Sequence, residues 1–332
     1  MHQAADRVLK RKEKTMKKRV RKITAILLAV SMVLGVSGCG KSQKSTQDSG
    51  DTAKVKIAYQ YGLAYAPLTI MQEQGLIEKN YDGDIEAINE GMASGDIDVA
   101  CMGIAPFITG VTAGIPYKMY GTIAAQPNEL LTNEDTIHSL KDITDDKKIS
   151  VVNVGSIQHI LLAMLAKQEL GDAHALDNNL VTMSHPDGMT ALMSGSVACQ
   201  LTTAPYIFKA KEQDNIKEAE SLDSVWPEGN AFIVGLVSDD LYENQPEIYQ
   251  AVVDATQEAM DYINNNQEEA ANILCKKEDV TAETMQEWLQ DPGCVYDMKL
   301  PGVMDMANFM AENDFVDSAP ESFEAITTES AR

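Results

Sequence analysis

The chain has 332 residues, 44% of them hydrophobic and 23% charged, and its formal net charge at pH 7 is −23. This length suits one or two ordinary domains, and the composition excludes a disordered or fibrous protein. The negative balance excludes a typical nucleic-acid binder, which needs a dense basic surface. The charge is uneven, because residues 1–38 carry ten Lys or Arg and two acidic residues, hence +8, which leaves −31 for the rest.

The basic start of the chain is followed by an uncharged apolar segment at 23–37. A helix that spans a bilayer needs about 20 residues, and this segment is shorter. A basic flank before a short apolar run predicts a secretion signal over residues 1–38. The sequence from Met16 already forms a complete basic flank, so one interpretation of residues 1–15 is an upstream extension of the reading frame.

The predicted signal ends in Val36-Ser37-Gly38-Cys39, and small residues directly before a cysteine resemble a bacterial lipobox. This resemblance implies that Cys39 is lipidated and becomes the mature N-terminus. An ordinary signal with an incidental cysteine is the alternative. Residues 39–54 are polar and rich in Ser and Thr, which is typical of a tether, and two acyl chains give stable anchoring. We therefore expect an exported protein anchored to the outer face of the bacterial cytoplasmic membrane.

Export permits disulfide bonds among the cysteines that follow Cys39. Cys101 and Cys199 lie in apolar, strand-like runs, where a buried thiol is expected. Cys275 and Cys294 are the one pair that we considered for a bridge. No cysteine lies in a CxxC pair or near a histidine at metal-ligand spacing, so no metal site is predicted.

Short apolar runs alternate with amphipathic segments from Val55 onward. The predicted strands are 55–59, 97–103, 117–125, 149–155, 180–184, 197–205 and 230–238. The predicted helices are 67–79, 87–95, 106–114, 156–171, 187–196, 246–266, 268–275, 282–289 and 303–313. Repeated alternation of strand and helix predicts mostly parallel sheets with helices on both faces, and this length suggests two lobes.

The sequence offers little that indicates catalysis. It contains no nucleotide-binding P-loop, no zinc-protease motif, no nucleophile elbow and no dinucleotide-binding glycine motif after a strand. The four histidines after residue 54 are scattered, as structural or surface histidines usually are. These observations favour a binding protein that needs no cofactor.

Four segments in chain order carry a resemblance to one family: 55–67, 92–110, 149–165 and 191–210. They are similar to the solute-binding proteins of ABC importers for sulfonates, nitrate and taurine, with their thiamine-precursor relatives. The resemblance extends over about residues 55–320. It implies an α/β, type II periplasmic-binding-protein fold, in which two doubly wound lobes flank a hinge and a cleft. Lobe 1 would comprise 55–138 and 231–332, and lobe 2 would comprise 139–230.

The resemblance implies a binding protein that captures a small anionic ligand, similar to a sulfonate or nitrate, or a heteroaromatic ligand. It would deliver this ligand to an ABC permease that works with a separate ATPase, and it would carry out no chemistry. Two alternatives stay open: a ligand-independent sensor or adaptor with a degenerate cleft, and a pyrimidine-synthesis enzyme on the same fold. A lipid anchor argues against the enzyme, as does the missing cysteine-rich motif of those relatives.

Ligands of open α/β sheets bind beyond the carboxyl ends of the strands, where helix N-termini offer free N–H groups. The family has a Gly-Ser-x-x-His segment at one such end, which here implies Ser156, Gln158 and His159 as ligand contacts. Capping of the next helix is the structural explanation for Ser156, and helix packing explains His159 equally well.

Two further strand ends are candidates. Gly103 and Ile104 follow the run 97–103, and the glycine would allow close approach of backbone to ligand. A tight turn between strand and helix is the alternative. Gln60, Tyr61 and Tyr65 follow the first strand, where an amide can bind an oxyanion and a tyrosine can stack or donate. Packing in the core of lobe 1 is the alternative for both tyrosines.

The sequence departs from the family at Thr203-Ala204-Pro205-Tyr206, where relatives often have Trp-Asp/Glu-Pro-Tyr. The acidic group that would suit a ligand amine is missing, so a zwitterion such as taurine is less favoured. The Thr203 hydroxyl stays a candidate donor.

A larger departure lies between Gly75 and Met92, where about a dozen residues of the family pattern are absent. Asp84-Ile85-Glu86 is too short for a strand and a loop, so the sequence predicts a lost edge strand and an impaired cleft in lobe 1.

Overall fold

The computed structural model describes residues 52–60, 62–89 and 97–332. The signal, the lipidation residue Cys39 and most of the tether therefore lie outside the described residues, and so does the candidate Tyr61. No helix within the described ranges is long and apolar enough to cross a membrane.

The described ranges contain ten strands and eleven α-helices. The strands are β1 (Ala53–Ala58), β2 (Ile85–Asn89), β3 (Val99–Gly103), β4 (Tyr117–Ala124), β5 (Asn128–Thr132), β6 (Ile149–Val151), β7 (Leu180–Thr182), β8 (Cys199–Thr203), β9 (Lys217–Ser221) and β10 (Ile233–Ser238). The helices are α1 (Ala66–Gln74), α2 (Leu76–Asn80), α3 (Ile104–Thr112), α4 (Ile157–Leu170), α5 (His185–Met193), α6 (Tyr206–Lys211), α7 (Asp239–Asn244), α8 (Pro246–Asn265), α9 (Gln267–Glu278), α10 (Ala282–Leu289) and α11 (Val303–Glu312).

The strands form two five-stranded sheets with the same arrangement. The first has the order β2-β1-β3-β10-β4 and the second has the order β7-β6-β8-β5-β9. Four strands of each sheet run in the same direction, whereas β10 and β5 run antiparallel to both of their neighbours. Each sheet is therefore mixed but mostly parallel, as the sequence predicts.

Each antiparallel strand is the first strand that the chain forms after it crosses from one sheet to the other. The chain leaves the first sheet after β4 and enters the second as β5, and it leaves the second after β9 and returns as β10. Two segments, 125–127 and 222–232, therefore connect the sheets, and together we call them the hinge segments. β5 belongs to the second sheet, although the lobe boundaries predicted from the sequence placed residues 128–132 in lobe 1. The predicted return to lobe 1 near residue 231 stays a prediction.

The edge strand that was expected to be lost is present. β2 pairs in parallel with β1 from Ala53↔Ile85 to Ile57↔Asn89. The predictions of a missing strand and of a helix beginning at residue 87 are therefore wrong. Apolar Ile85 and Ile88 fit a helical spacing as well as a short strand, and pairing with β1 stabilises the strand. The loop that would follow β2 falls at 90–96, outside the described residues.

The helices cover the sheets as their sequences predict. Pro246 occupies the first turn of α8, and the buried face of this helix packs on α1 and α2 beside the first sheet. In the second sheet, α4 is buried from Ile157 to Ala166 and ends at Gly171, which adopts a left-handed conformation with φ 83°. Both helices confirm the predicted elements.

The cysteines after residue 39 are all free, so the bridge considered between Cys275 and Cys294 does not form. Cys101 and Cys199 are buried in β3 and β8 as expected. Burial raises the pKa of Cys101 to about 12 and that of Cys199 to about 11, so both are neutral thiols at pH 7.

Candidate functional site

The starts of α3 and α4 meet at the junction of the two sheets. α3 follows β3 of the first sheet, and α4 follows the turn after β6 of the second sheet, and the two helices are in contact. A Cβ atom placed on Gly103, directly before α3, would lie 3.8 Å from Cγ2 of Ile157, the first residue of α4. The candidates Gly103, Ile104 and Ser156 are therefore brought together.

Gly103 is not required by its backbone conformation. Its φ of −60° and ψ of 146° are open to any residue, and the neighbours of an added Cβ lie at ordinary contact distances. A tight turn therefore does not explain the glycine. Its missing side chain widens the space in front of Ile157, as a ligand site would require.

Ser156 caps α4. Its Oγ accepts a hydrogen bond from the N–H of His159 at 3.3 Å, and its carbonyl accepts one from the N–H of Ile160 at 3.1 Å. Capping of this kind contributes about 1 kcal/mol to stability without any ligand. Capping is therefore established for Ser156, and contact with a ligand stays a prediction.

Three backbone N–H groups at this junction have no acceptor among the described residues. They belong to Ala105 in α3 and to Ile157 and Gln158 in α4. The N–H of Ile104 is already bonded to the carbonyl oxygen of Phe232 at 3.1 Å. Since all three are on residues that are at most 3% exposed, a buried donor here loses free energy unless a ligand or water accepts from it.

Gln158 is a buried residue whose side chain has no hydrogen-bond partner among the described residues. The residue is 3% exposed, and within the described ranges its carboxamide makes no hydrogen bond. A carboxamide offers two N–H donors and one oxygen acceptor. Gln158 therefore adds side-chain donors beside the unpaired N–H groups.

The side chain of His159 packs against other parts of the protein. Its Nδ1 accepts a hydrogen bond from the N–H of Gly155 at 3.0 Å, and its ring packs edge-on against Phe315. Nε2 lies 3.6 Å from Asp177, which is too far for a hydrogen bond. Burial lowers the pKa of His159, and Asp177 opposes this only in part. The geometry favours the packing interpretation of this residue.

Of the candidate residues after β1, one is open to a ligand and one packs in the core. Gln60 is exposed, so its amide is free to meet a ligand. Tyr65 is buried in the core of the first sheet, beside Tyr59 at a ring-centroid distance of 6.4 Å, and burial raises its pKa. The core interpretation therefore fits Tyr65.

Thr203 is engaged with the hinge. It ends β8, is 5% exposed, and its hydroxyl donates a hydrogen bond of 2.8 Å to the carbonyl oxygen of Pro127. A hydroxyl has one proton to donate, so in this state Thr203 can only accept from a ligand.

A contact between α6 and α10 was not predicted from the sequence. Phe208 packs on Trp288 with ring centroids 5.8 Å apart, and Nζ of Lys209 lies 5.4 Å from the centre of the same indole. Lys209 also lies 3.7 Å from Glu278 of α9. α9 packs on α1 beside the first sheet, whereas α6 follows β8 of the second. These residues therefore hold the two sheets together at a second place.

A neutral histidine lies at the start of α5. The ring of His185 stacks on Tyr206 with a centroid distance of 5.2 Å, and its Nδ1 is 2.8 Å from Oγ1 of Thr202. Burial lowers the pKa of His185 to about 4, so it carries no charge at pH 7. No group of three His, Cys, Asp or Glu side chains in the described ranges is arranged to hold a metal.

The sequence profile of the NMT1-like family matches residues 48–276. The chain belongs to the NMT1-like family. No curated protein matches the sequence.

Solved structures show that this member of the NMT1-like family has the expected fold. The periplasmic aliphatic sulphonate-binding protein SsuA from Escherichia coli superposes with a TM-score of 0.64 at 17% identity, over 84% of this chain and 93% of SsuA. The Candida albicans CA3427 product, described as having the generic periplasmic-binding-protein fold, superposes with 0.64 at 17% identity, over 84% and 96%. The nitrate-binding protein NrtA from Synechocystis PCC 6803 superposes with 0.57 at 17% identity, over 74% of each chain. The predicted α/β periplasmic-binding fold is confirmed.

Proposed function

We propose that this NMT1-like protein is the solute-binding protein of an ABC importer, and that it captures a small ligand where the starts of α3 and α4 meet. The observation that carries the proposal is the set of unpaired N–H groups of Ala105, Ile157 and Gln158 at that junction. The fold shared with sulphonate- and nitrate-binding proteins supports it. The proposed contacts at the junction are Gly103, Ile104, Ser156 and Gln158. Gln60 and Tyr61 after β1 would add donors, and Thr203 would add an acceptor. Tyr65 and His159, which the sequence also suggested, are assigned to packing.

The proposed ligand is a small anion such as a sulfonate or nitrate. Helix N-termini and unpaired N–H groups stabilise negative charge, and neutral donors bind it without a counter-charge. The acidic surface opposes such a ligand only over a short range, because salt screens charges beyond about 8 Å. A heteroaromatic ligand with ring acceptors is the second class that the same donors accommodate.

The proposed setting is the outer face of the cytoplasmic membrane. Lipidated Cys39 would hold the protein there, and the tether up to residue 54 would give the folded part reach. The proposed partners are a permease and a separate ATPase. Binding and release then suffice, and no chemistry is proposed for the protein.

The alternative functions have less support. The degenerate sensor or adaptor was motivated by a lost edge strand, and β2 is present. The sequence contains no catalytic motif that supports the pyrimidine-synthesis enzyme, and two of the structural relatives are described as sulphonate- and nitrate-binding proteins.

The experiment is a thermal-shift screen of the purified protein with sulfonates, nitrate and pyrimidines. A ligand that binds only the folded state increases the free energy of unfolding by RT ln(1 + [L]/Kd), and the unfolding temperature rises as a result. We expect at least one of these classes to do so. A panel without any shift would contradict the proposal and favour the ligand-independent adaptor, whereas turnover of a compound would favour the enzyme.

A further inference from the structure

A cavity lies between the two hinge segments, and its lining shares no residue with the junction of α3 and α4. It has a volume of about 140 Å³, and it is lined by residues 126–129, 221–223 and 226–230 together with Glu218. A single water needs only about 10–15 Å³ of such space, so the cavity has room for a small molecule.

Several of the residues that line this hinge cavity have a buried polar atom without a hydrogen-bond partner in the described chain. Nε1 of Trp226 is a donor with no acceptor in the described chain, and the residue is only 6% exposed. Oδ1 of Asn128 and Oε2 of Glu129 are acceptors that likewise lack a donor. Buried polar groups are nearly always hydrogen-bonded, so unpaired atoms of both kinds at one cavity indicate a missing partner.

Neighbouring bonds hold these side chains in place. Oε1 of Glu129 is 2.9 Å from Nζ of Lys211, which leaves Oε2 as its unpaired oxygen. Nδ2 of Asn128 donates to the carbonyl oxygen of Gln126 at 2.9 Å, which leaves Oδ1 unpaired. The unpaired atoms therefore cannot easily satisfy one another by rotation.

The charge of the cavity selects a cation. Besides Glu129, the exposed carboxylates of Glu218, Asp223 and Glu228 line it, and none of the described residues that line it is Lys, Arg or His. Partial desolvation raises the pKa of Glu218, and the nearby carboxylate of Glu129 raises it further, as expected where negative charges lie close together.

We propose that the hinge cavity binds a small organic ammonium ion that also carries an oxygen acceptor. The ammonium group donates to Oε2 of Glu129 and Oδ1 of Asn128, and the oxygen accepts from Nε1 of Trp226. Because both hinge segments line the cavity, the bound ligand would contact both connections between the sheets. This inference does not rest on the proposed function, and the site differs from the one proposed for the imported ligand.

The test uses ethanolamine at pH 7 as the probe. The chain has two tryptophans, Trp226 and Trp288, so Trp288→Phe leaves the cavity residue as the only indole. We expect a saturable change in its emission with ethanolamine, and saturable heat in calorimetry of the unsubstituted full chain. Ethylene glycol keeps the oxygen and lacks the charge, so it should not bind.

Two charge-removing variants show whether ethanolamine affinity depends on the carboxylate in the cavity or on surface charge in general. Glu129→Gln removes the least exposed of the cavity's carboxylate charges and keeps an oxygen that can face Lys211, and we expect affinity to fall about tenfold or more. Glu268→Gln removes one exposed charge of α9 and should leave affinity unchanged. Trp226→Phe, followed by calorimetry, should also weaken binding.

The inference is overturned if ethanolamine gives neither emission change nor heat in the unsubstituted chain, which would leave water as the partner of these atoms. Equal binding of ethylene glycol, or equal affinity in Glu129→Gln and Glu268→Gln, would also overturn it. If a sulfonate or nitrate binds and ethanolamine does not, the proposed site in the hinge cavity is rejected and the proposed function is unaffected.

Discussion

The hydroxyl of Thr203 donates a 2.8 Å hydrogen bond to the carbonyl oxygen of Pro127. Thr203 is the last residue of β8, and Pro127 lies in the first hinge segment. This partly buried bond therefore links the end of β8 to the first connection between the sheets.

Replacing Thr203 with Val should destabilise the fold. The valine has a similar shape but leaves the Pro127 carbonyl without its donor, and we expect a loss of about 1–3 kcal/mol in the free energy of unfolding. Urea unfolding measures this. Thr203→Ser retains the hydroxyl and should lose less, and a valine variant as stable as the parent would contradict the role of this bond.

Replacing Gly103 with Ala should separate folding from binding. The backbone φ of −60° suits alanine, so the variant should be as stable as the parent or more stable by about 0.4–1 kcal/mol. The added Cβ would narrow the space in front of Ile157, and affinity for any ligand found in the screen should fall. A marked loss of stability would instead restore the tight-turn explanation of this glycine.

The sequence predicted the fold well where a local pattern and the packing agree. α4 and α8 carry apolar positions at helical spacing, with a cap or a proline at the start, and both form as expected. β2 was missed because Ile85–Asn89 suits two structures, and only the parallel pairing with β1 decides between them. Pairing between distant segments leaves no local signal in the sequence.

The site was predictable to the extent that it lies at strand ends. Gly103 and Ser156 come together because β3 and β6 end at the junction of the sheets. The occupation of the Thr203 hydroxyl by Pro127 could not be inferred, since their contact depends on where the chain crosses between sheets. The hinge cavity could not be predicted for the same reason. Glu129 and Trp226 are far apart in sequence, and neither belongs to a motif that indicates a binding site.

His185 should make stability fall in mild acid. Its pKa is about 4 in the folded state and about 6.5 when unfolded, so between these values the unfolded chain binds a proton that the folded chain does not. Stability from this group is complete above pH 6.5 and is lost as pH falls toward 4, by about 2–3 kcal/mol. Urea unfolding of His185→Asn should show a smaller loss between pH 7 and pH 4 than the parent, and parallel curves would contradict this assignment.

Cys39 should carry the lipid. In bacteria that are fed radiolabelled palmitate, the parent should incorporate label and sediment with membranes, because two acyl chains give stable attachment. Cys39→Ser should lose the label and the membrane fraction, whereas Cys275→Ser should keep both. Label retained in Cys39→Ser would contradict the lipobox interpretation.

The central claim is that a small anion binds where α3 and α4 begin, and calorimetric titration of Ser156→Asp beside the parent tests it most directly. Aspartate keeps the cap of α4, so the variant should unfold close to the parent, but its carboxylate repels an anion at the unpaired N–H groups. We expect saturable heat from a sulfonate or nitrate in the parent, and affinity lower by about tenfold or more in the variant. Absence of heat from every ligand with the parent, or equal affinity in the two proteins, would contradict the account.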